Sequence, residues 1–218
     1  MNNIIEFILD LIYPPKCAIC GKDNKNYVCK NCLNMLENEE IFKIDDIKGK
    51  SFDQHIYLYE YKTIIRKKII ELKFKDKDYL YKFFAYILKN NKKICAILNS
   101  YDIITAVPMH HKKQKIRGYN QIELIAKELQ NDNLKYMKLL EKTINTKNQV
   151  ELKREERINN LKNAYKIIQQ KNKIEQKKIL LFDDIYTTGS TADECTKQIK
   201  KYNPKKIGVL TIAKDFIK

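Results

Sequence analysis

The sequence predicts an α/β protein: an open, mainly parallel sheet flanked by helices, with a small N-terminal four-cysteine zinc-binding module. Three observations carry this reading. Short apolar runs alternate with amphipathic stretches through most of the chain. Two Cys-x-x-Cys pairs stand close together near its start. The run "KKILLFDDIYTTGSTADEC" passes from an apolar strand through two aspartates and a hydroxyl-rich loop into a helix.

Size and composition allow such a fold. The chain has 218 residues, of which 44% are apolar, enough for one sizeable domain and a small appendage. Its formal net charge of +16 favours polyanionic partners. A Lys-, Asn- and Ile-rich composition along the whole chain accounts for the same surplus without any partner. The start, "MNNIIEFILDLIYPP", is amphipathic, contains Glu6 and Asp10, and lacks the basic opening of a secretory signal. No apolar run is long enough to cross a bilayer. A cytoplasmic address is therefore expected, and there paired cysteines serve metal rather than disulfides.

The elements follow in order. Residues 1–13 read as a short helix stopped by Pro14-Pro15. The cysteine pairs come next, and a polar segment through Lys50 reads as a linker. This divides the chain into a module with linker, 1–50, and a main domain, 51–218. Residues 55–61, "HIYLYEY", alternate as a strand. Helical spacing marks 62–74 through Ile65, Ile69 and Leu72, and marks 78–90 through Leu80, Phe83, Phe84, Ile87 and Leu88. Residues 94–98 are apolar and ambiguous. A short buried strand, 101–108, leads into a basic loop, "MHHKKQKIRGYN". Helices are expected over 120–130 and 134–142. The polar segment 144–163 fits either a mobile loop or a solvated helix. Residues 164–168 and 177–182 read as strands, a helix runs from Thr191 to Lys201, and 205–214 closes as a strand.

The chemistry lies at the Asp pair. A loop from Thr187 to Thr191 can present bare backbone amides, and the helix after it adds its positive N-terminal end. Gly189 lets an anion approach without a Cβ in the way. Thr187, Thr188, Ser190 and Thr191 add hydroxyl donors. Ionised Asp183 and Asp184 are strict acceptors, suited to the vicinal hydroxyls of a ribose. Phosphate beside diol makes a ribose 5-phosphate site. The plainer alternative is a capped helix after a strand, with solvated aspartates. No G-x-x-x-x-G-K-[ST] and no G-x-G-x-x-G occurs, so neither a P-loop nor a dinucleotide fingerprint is present.

"ILLFDDIYTTGST" resembles the phosphoribosyl diphosphate signature of type I phosphoribosyltransferases. "AVPMHHKKQKIRGYNQIELIAKEL" and "NQVELKREERINNLKNAY" resemble two further blocks of that superfamily's ComF branch. The resemblance implies a type I phosphoribosyltransferase-like fold. It places Asp183 and Asp184 at the ribose hydroxyls, Thr187, Thr188, Gly189, Ser190 and Thr191 at the 5-phosphate, and the diphosphate at the loop after Pro108. Lys112, Lys113, Lys115 and Arg117 follow a strand end there, where sheet ligands bind, and Gly118 permits a tight turn. The alternative for that loop is a solvated basic turn. The resemblance puts a mobile loop over 144–163, with Gln149, Arg154, Glu156, Arg157 and Asn160 matching the branch pattern. Magnesium would accompany the diphosphate.

Cys17, Cys20, Cys29 and Cys32 form two pairs eight residues apart, with Gly21 after the first. Together they complete a closed tetrahedral site, so the expected zinc is structural. Cys95 and Cys195 read as ordinary thiols. His55, His110 and His111 form no triad or metal pattern, and the last two read as surface side chains in the diphosphate loop.

Two functions remain in view. The first is a ComF-type protein that binds phosphoribosyl diphosphate and takes part in natural competence, handling single-stranded DNA with competence helicase-type machinery. Lysines interleaved with Phe74, Tyr79 and Tyr81 fit a single-strand groove. The second is an active Mg-dependent phosphoribosyltransferase of nucleotide metabolism or salvage, with an unknown acceptor.

Overall fold

The computed structural model describes residues 16–74, 77, 79–144 and 164–216. The expected helix over 1–13, and the segment 145–163 with its five pattern residues, lie outside the described residues.

A six-stranded sheet organises the molecule. Its strands are β1 (Glu40–Asp46), β2 (Gln54–Glu60), β3 (Ile103–Ala106), β4 (Lys135–Tyr136), β7 (Lys178–Tyr186) and β8 (Lys206–Lys214). The spatial order is β1-β2-β8-β7-β3-β4. Every neighbouring pair is parallel except the antiparallel β1–β2 edge. Two further strands, β5 (Leu140–Lys142) and β6 (Tyr165–Ile167), pair antiparallel as a separate ribbon.

Both faces of the sheet are covered. Leu180 and Phe182 of β7 join one core with Ile56, Leu58 and Leu210. That core also takes α2 (Thr63–Glu71), α3 (Leu80–Lys89), α4 (Lys92–Asn99) and α6 (Gln121–Glu128). Ile179 and Leu181 face the other way, into a second core with α7 (Ser190–Lys200) and the β5–β6 ribbon. The alternation of a strand sends successive side chains to opposite faces. Burial on both faces explains why β7 reads as an unbroken apolar run.

Four expectations need correction. The supposed linker through Lys50 contains α1 (Lys30–Asn38) and the edge strand β1. An edge strand with half-exposed residues carries little hydrophobic alternation, so its pairing partner β2 supplies what its sequence does not show. The helix expected over 134–142 is instead β4, an irregular stretch and β5. Leu134, Leu139 and Leu140 are buried, but the open edge of β3 pairs with Lys135 and Tyr136, and the Leu139 amide donates to Thr105 Oγ1. Tertiary hydrogen bonds override a short, weakly periodic pattern. The basic loop after Pro108 contains a seven-residue helix, α5 (His111–Arg117), closed by Gly118 at φ 89°. Finally, β7 continues through Tyr186, so the aspartates lie within the strand rather than beyond it.

The ambiguous residues 94–98 belong to α4, whose N-cap Asn91 accepts from the amides of Lys93 and Ile94. Phe182→Ala should cost about 3–5 kcal/mol, because the ring is fully buried in the central strand. Urea unfolding measures it, and a loss under about 1 kcal/mol would show that this core repacks freely.

Candidate ligand cleft and metal centre

The cleft opens at the carboxyl end of the parallel strands, where ligands of open α/β sheets bind. Asp183, Asp184, Ile185 and Tyr186 are the β7 residues that line it. Their alternation sends Asp184 toward the α2 side and Asp183 toward the α7 side. The Asp184 amide donates to Asp183 Oδ1 at 2.9 Å. Asp184 Oδ2 stands 3.3 Å from Lys73 Nζ, in the turn after α2. Burial first, and then the Asp184 carboxylate, push Asp183 up to about 8. Coulombic attraction to Asp184 holds the Lys73 ammonium above its ordinary range.

The hydroxyl loop forms the next wall. Thr187, Thr188, Gly189, Ser190 and Thr191 line a cavity of about 540 Å³ together with both aspartates. Gly189 caps α7 in the left-handed region, at φ 71°. A Cβ at this position would collide with the Tyr186 ring, which packs beneath it. Tyr186 in turn stacks on buried His55, their ring centroids 3.9 Å apart. His55 Nε2 bonds Thr211 Oγ1 at 2.9 Å, and burial pushes this imidazole down to about 3. Thr188 Oγ1 and Ser190 Oγ bond each other at 2.8 Å. The amides of Thr187, Thr188 and Gly189 donate to no backbone carbonyl among the described residues. They stand at the N-terminus of an eleven-residue helix, where an anion is favoured.

Opposite lies the basic segment. A second cavity of about 240 Å³ is lined by Lys73, Lys113, Arg117, Lys142, Asp183, Asp184 and Thr191, among others. The i,i+4 spacing of Lys113 and Arg117 puts both on one face of α5. Lys112 and Gly118 do not line this cavity; Lys112 is exposed, and its amide donates to His110 Nδ1 at the helix start. His110 departs from the surface reading. It is buried, with a ring 4.1 Å from that of His111. Burial and then the neighbouring His111 and the cations of Lys112 and Lys142 hold its pKa down, which leaves Nδ1 able to accept.

Sequence reasoning missed Lys73 and Lys142. Lys73 looked like the tail of a helix, and Lys142 fell within a segment expected to be helical. Burial and then Lys113 lower the pKa of Lys142, so cations crowd here. Tyr61 and Arg66 also line the larger cavity, with the guanidinium 5.8 Å from the ring centroid. No local pattern marks any of these four.

The cysteines come together as expected. The Sγ atoms of Cys17, Cys20, Cys29 and Cys32 all lie within 4.8 Å of one another. Zn–S bonds of about 2.3 Å in a tetrahedron fit such spacing. Cys29 caps α1 and Cys32 lies in its first turn, while Gly21 turns the chain after the first pair at φ 74°. Burial alone would raise Cys17, but hydrogen bonds from the Cys20, Cys29 and Ile19 backbone outweigh it and bring the thiol down to about 6. Such amides favour the thiolate that a metal needs. Cys17, Ala18, Val28, Cys32 and Leu36 belong to the same core as β2 and α3, so the module is built onto the domain.

Known proteins share this plan. A family model for the double zinc ribbon domain matches residues 8–41. Competence protein F of Haemophilus influenzae is 28% identical over 205 residues, covering 92% of this chain and 85% of that protein. These matches support the chain's likeness to the ComF family. The competence protein ComFC of Streptococcus pneumoniae is 25% identical, covering 91% of this chain and 87% of its own. ComFC of Bacillus subtilis is 24% identical over 80% of this chain and 67% of its own. The solved structure of the allosteric regulatory enzyme of purine biosynthesis covers 51% of this chain and 22% of that one, with 15% identity and a TM-score of 0.32, too slight a likeness to carry an argument. Among the described residues, no helix is long and apolar enough to cross a membrane.

Two outcomes follow for the acid pair and the cysteine cluster. Chelating zinc, or replacing Cys32 with Ser, should lower the melting temperature, since a closed site of four thiolates contributes folding energy directly; elemental analysis should find one ion per chain in the native protein and none in the chelated one. Asp183 gives a pH signature. A carboxyl with a raised folded pKa holds its proton more tightly when folded, so ionising it weakens the fold. The stability of the native chain relative to Asp183→Asn should therefore fall as pH rises from about 4 to about 8 and level off above. Thermal unfolding of both proteins across that window checks it; a flat difference would mean that Asp183 ionises as freely as in water.

Proposed function

We propose that this chain binds phosphoribosyl diphosphate and uses that site in natural competence, handling incoming single-stranded DNA in the cytoplasm with helicase-type partners. One observation carries the ligand assignment. Free loop amides at the start of α7, the acid pair, and the cationic face of α5 follow one another along a single cleft. The order is anion site, diol site, anion site, the layout of a ribose bearing phosphate at C5 and diphosphate at C1. The loop takes the 5-phosphate, Asp183 and Asp184 take the ribose hydroxyls, and Lys113 and Arg117 take the diphosphate. Lys113 and Arg117 would hold the diphosphate together with a magnesium ion carried by it, which would supply charge neutralisation there.

The competence role draws on the printed names of the three relatives. Exposed rings beside lysines support the nucleic-acid part. Phe74 is 58% and Tyr79 41% exposed, and Lys77 Nζ lies 6.0 Å from the Tyr79 ring centroid. Bases stack on such rings without sequence preference. Leu80, Phe83 and Phe84 are fully buried and take no part.

The second reading, a working phosphoribosyltransferase, needs only an acceptor that attacks C1 as diphosphate departs. The Tyr61–Arg66 wall of the larger cavity leaves room for one.

Calorimetry with phosphoribosyl diphosphate and Mg²⁺ tests the site. The native chain should bind, and Asp183→Asn with Asp184→Asn should lose at least about tenfold in affinity, since each bond to a charged group contributes on the order of 1.5–3 kcal/mol. Unchanged affinity in the double variant would falsify the assignment. Single-stranded DNA binding should weaken steeply between low and moderate salt, through counterion release; a salt-insensitive interaction would remove the nucleic-acid role. Diphosphate release with a candidate acceptor would favour the enzyme.

A further inference from the structure

Lys73 has no part in the ligand assignment above, yet it stands at the centre of the cleft. It lines both cavities, which share only Lys73, Asp183, Asp184 and Thr191. Its ammonium is 3.3 Å from Asp184 Oδ2, and that carboxylate is only 14% exposed. The turn that carries it is anchored. Leu72 is fully buried, the Lys73 and Phe74 amides donate to Ile70 and Glu71, and Tyr119 beside α5 donates its hydroxyl to the Phe74 carbonyl at 3.1 Å. The turn thus spans from the acid pair to the diphosphate wall, and Lys73 is held in place by it.

The charges decide what such a cleft accepts. Two carboxylates meet four cationic side chains, Lys73, Lys113, Arg117 and Lys142, around the smaller cavity. A bare divalent cation would approach a net positive site in which Asp184 is already paired with Lys73. The raised proton affinity of Asp183 removes more negative charge at neutral pH. The residues present therefore do not fit a metal ion held by the acid pair alone. They fit a polyanionic sugar that brings its own metal.

We propose that Lys73 is the built-in counter-ion of the acid pair: it occupies the position at Asp184 that a free divalent ion would take, and it contacts the phosphorylated sugar once that ligand binds. This inference rests on the phosphoribosyl diphosphate reading. It makes the cleft selective for sugar phosphates that arrive as a metal complex.

The zinc-loaded full chain provides the test, titrated with Mn²⁺ alone and with phosphoribosyl diphosphate plus Mg²⁺. Lys73→Met should gain a Mn²⁺ site that the native chain lacks, and should lose it again when Asp183→Asn and Asp184→Asn are added. The same Lys73→Met variant should bind phosphoribosyl diphosphate about tenfold more weakly, with Lys73→Arg recovering to within about threefold, as for a lost charged contact. Both changes are required. Equal Mn²⁺ binding by the native chain and Lys73→Met, or undiminished sugar binding by Lys73→Met, overturns the proposal. The aspartate double variant separates the two failures. Should it keep full sugar affinity, the site assignment itself falls; should it lose affinity while Lys73→Met does not, only the role of Lys73 falls.

Discussion

The central position of β7 is the constraint on which the rest depends. It is hydrogen-bonded to β8 on one side and β3 on the other, and its apolar residues enter both cores. A strand held so tightly cannot slide, because a one-residue slip would turn each core residue to the wrong face. Its last residues are therefore fixed as well. Two carboxylates near the end of a buried strand are largely withdrawn from water by their setting, and their environments differ because they point to opposite sides. That difference separates their behaviour. Asp184 meets an ammonium, whereas Asp183 meets burial and the charge of its own neighbour, and keeps its proton to higher pH.

The same strand sets the hydroxyl loop. Tyr186 ends β7 with its ring under Gly189, and His55, itself bonded to Thr211 of β8, stacks on that ring from β2. The loop thus rests on a stacked, dry support, leaving its amides pointed away from the backbone network. Rigid support of this kind lowers the cost of binding, since the donors need no ordering when an anion arrives. Around it, the cations come from three separate elements: the turn after α2, α5 and β5. None of these elements makes a site alone.

The zinc module plays a different part. Its thiols and small apolar residues continue the core that α3 and β2 begin, and Lys82 lies 5.9 Å from the Tyr27 ring centroid across the junction. Zinc at the four cysteines would hold together a segment with few apolar residues of its own, and β1 ties the segment to the sheet.

Much of this was legible in the residues themselves. The central strands and the helices flanking them announce their type by local period, because burial on a face is periodic along the chain. The acid pair, the hydroxyl loop and the cysteine quartet were legible because their chemistry is local: each group needs its partners within a few residues. What escaped was non-local. Edge strand β1 takes its conformation from hydrogen bonds to the next strand, β2, and the β4–β5 segment from bonds to the more distant β3 and β6; a weak local pattern yields to those bonds. Lys73, Lys142 and buried His110 became site residues only when separate elements converged at the carboxyl end of the sheet. The sequence by itself determined which chemistry the chain carries and which strand presents it. Only the tertiary structure decided the charge balance of the cleft, because electrostatic environment depends on neighbours in space and on the water they exclude.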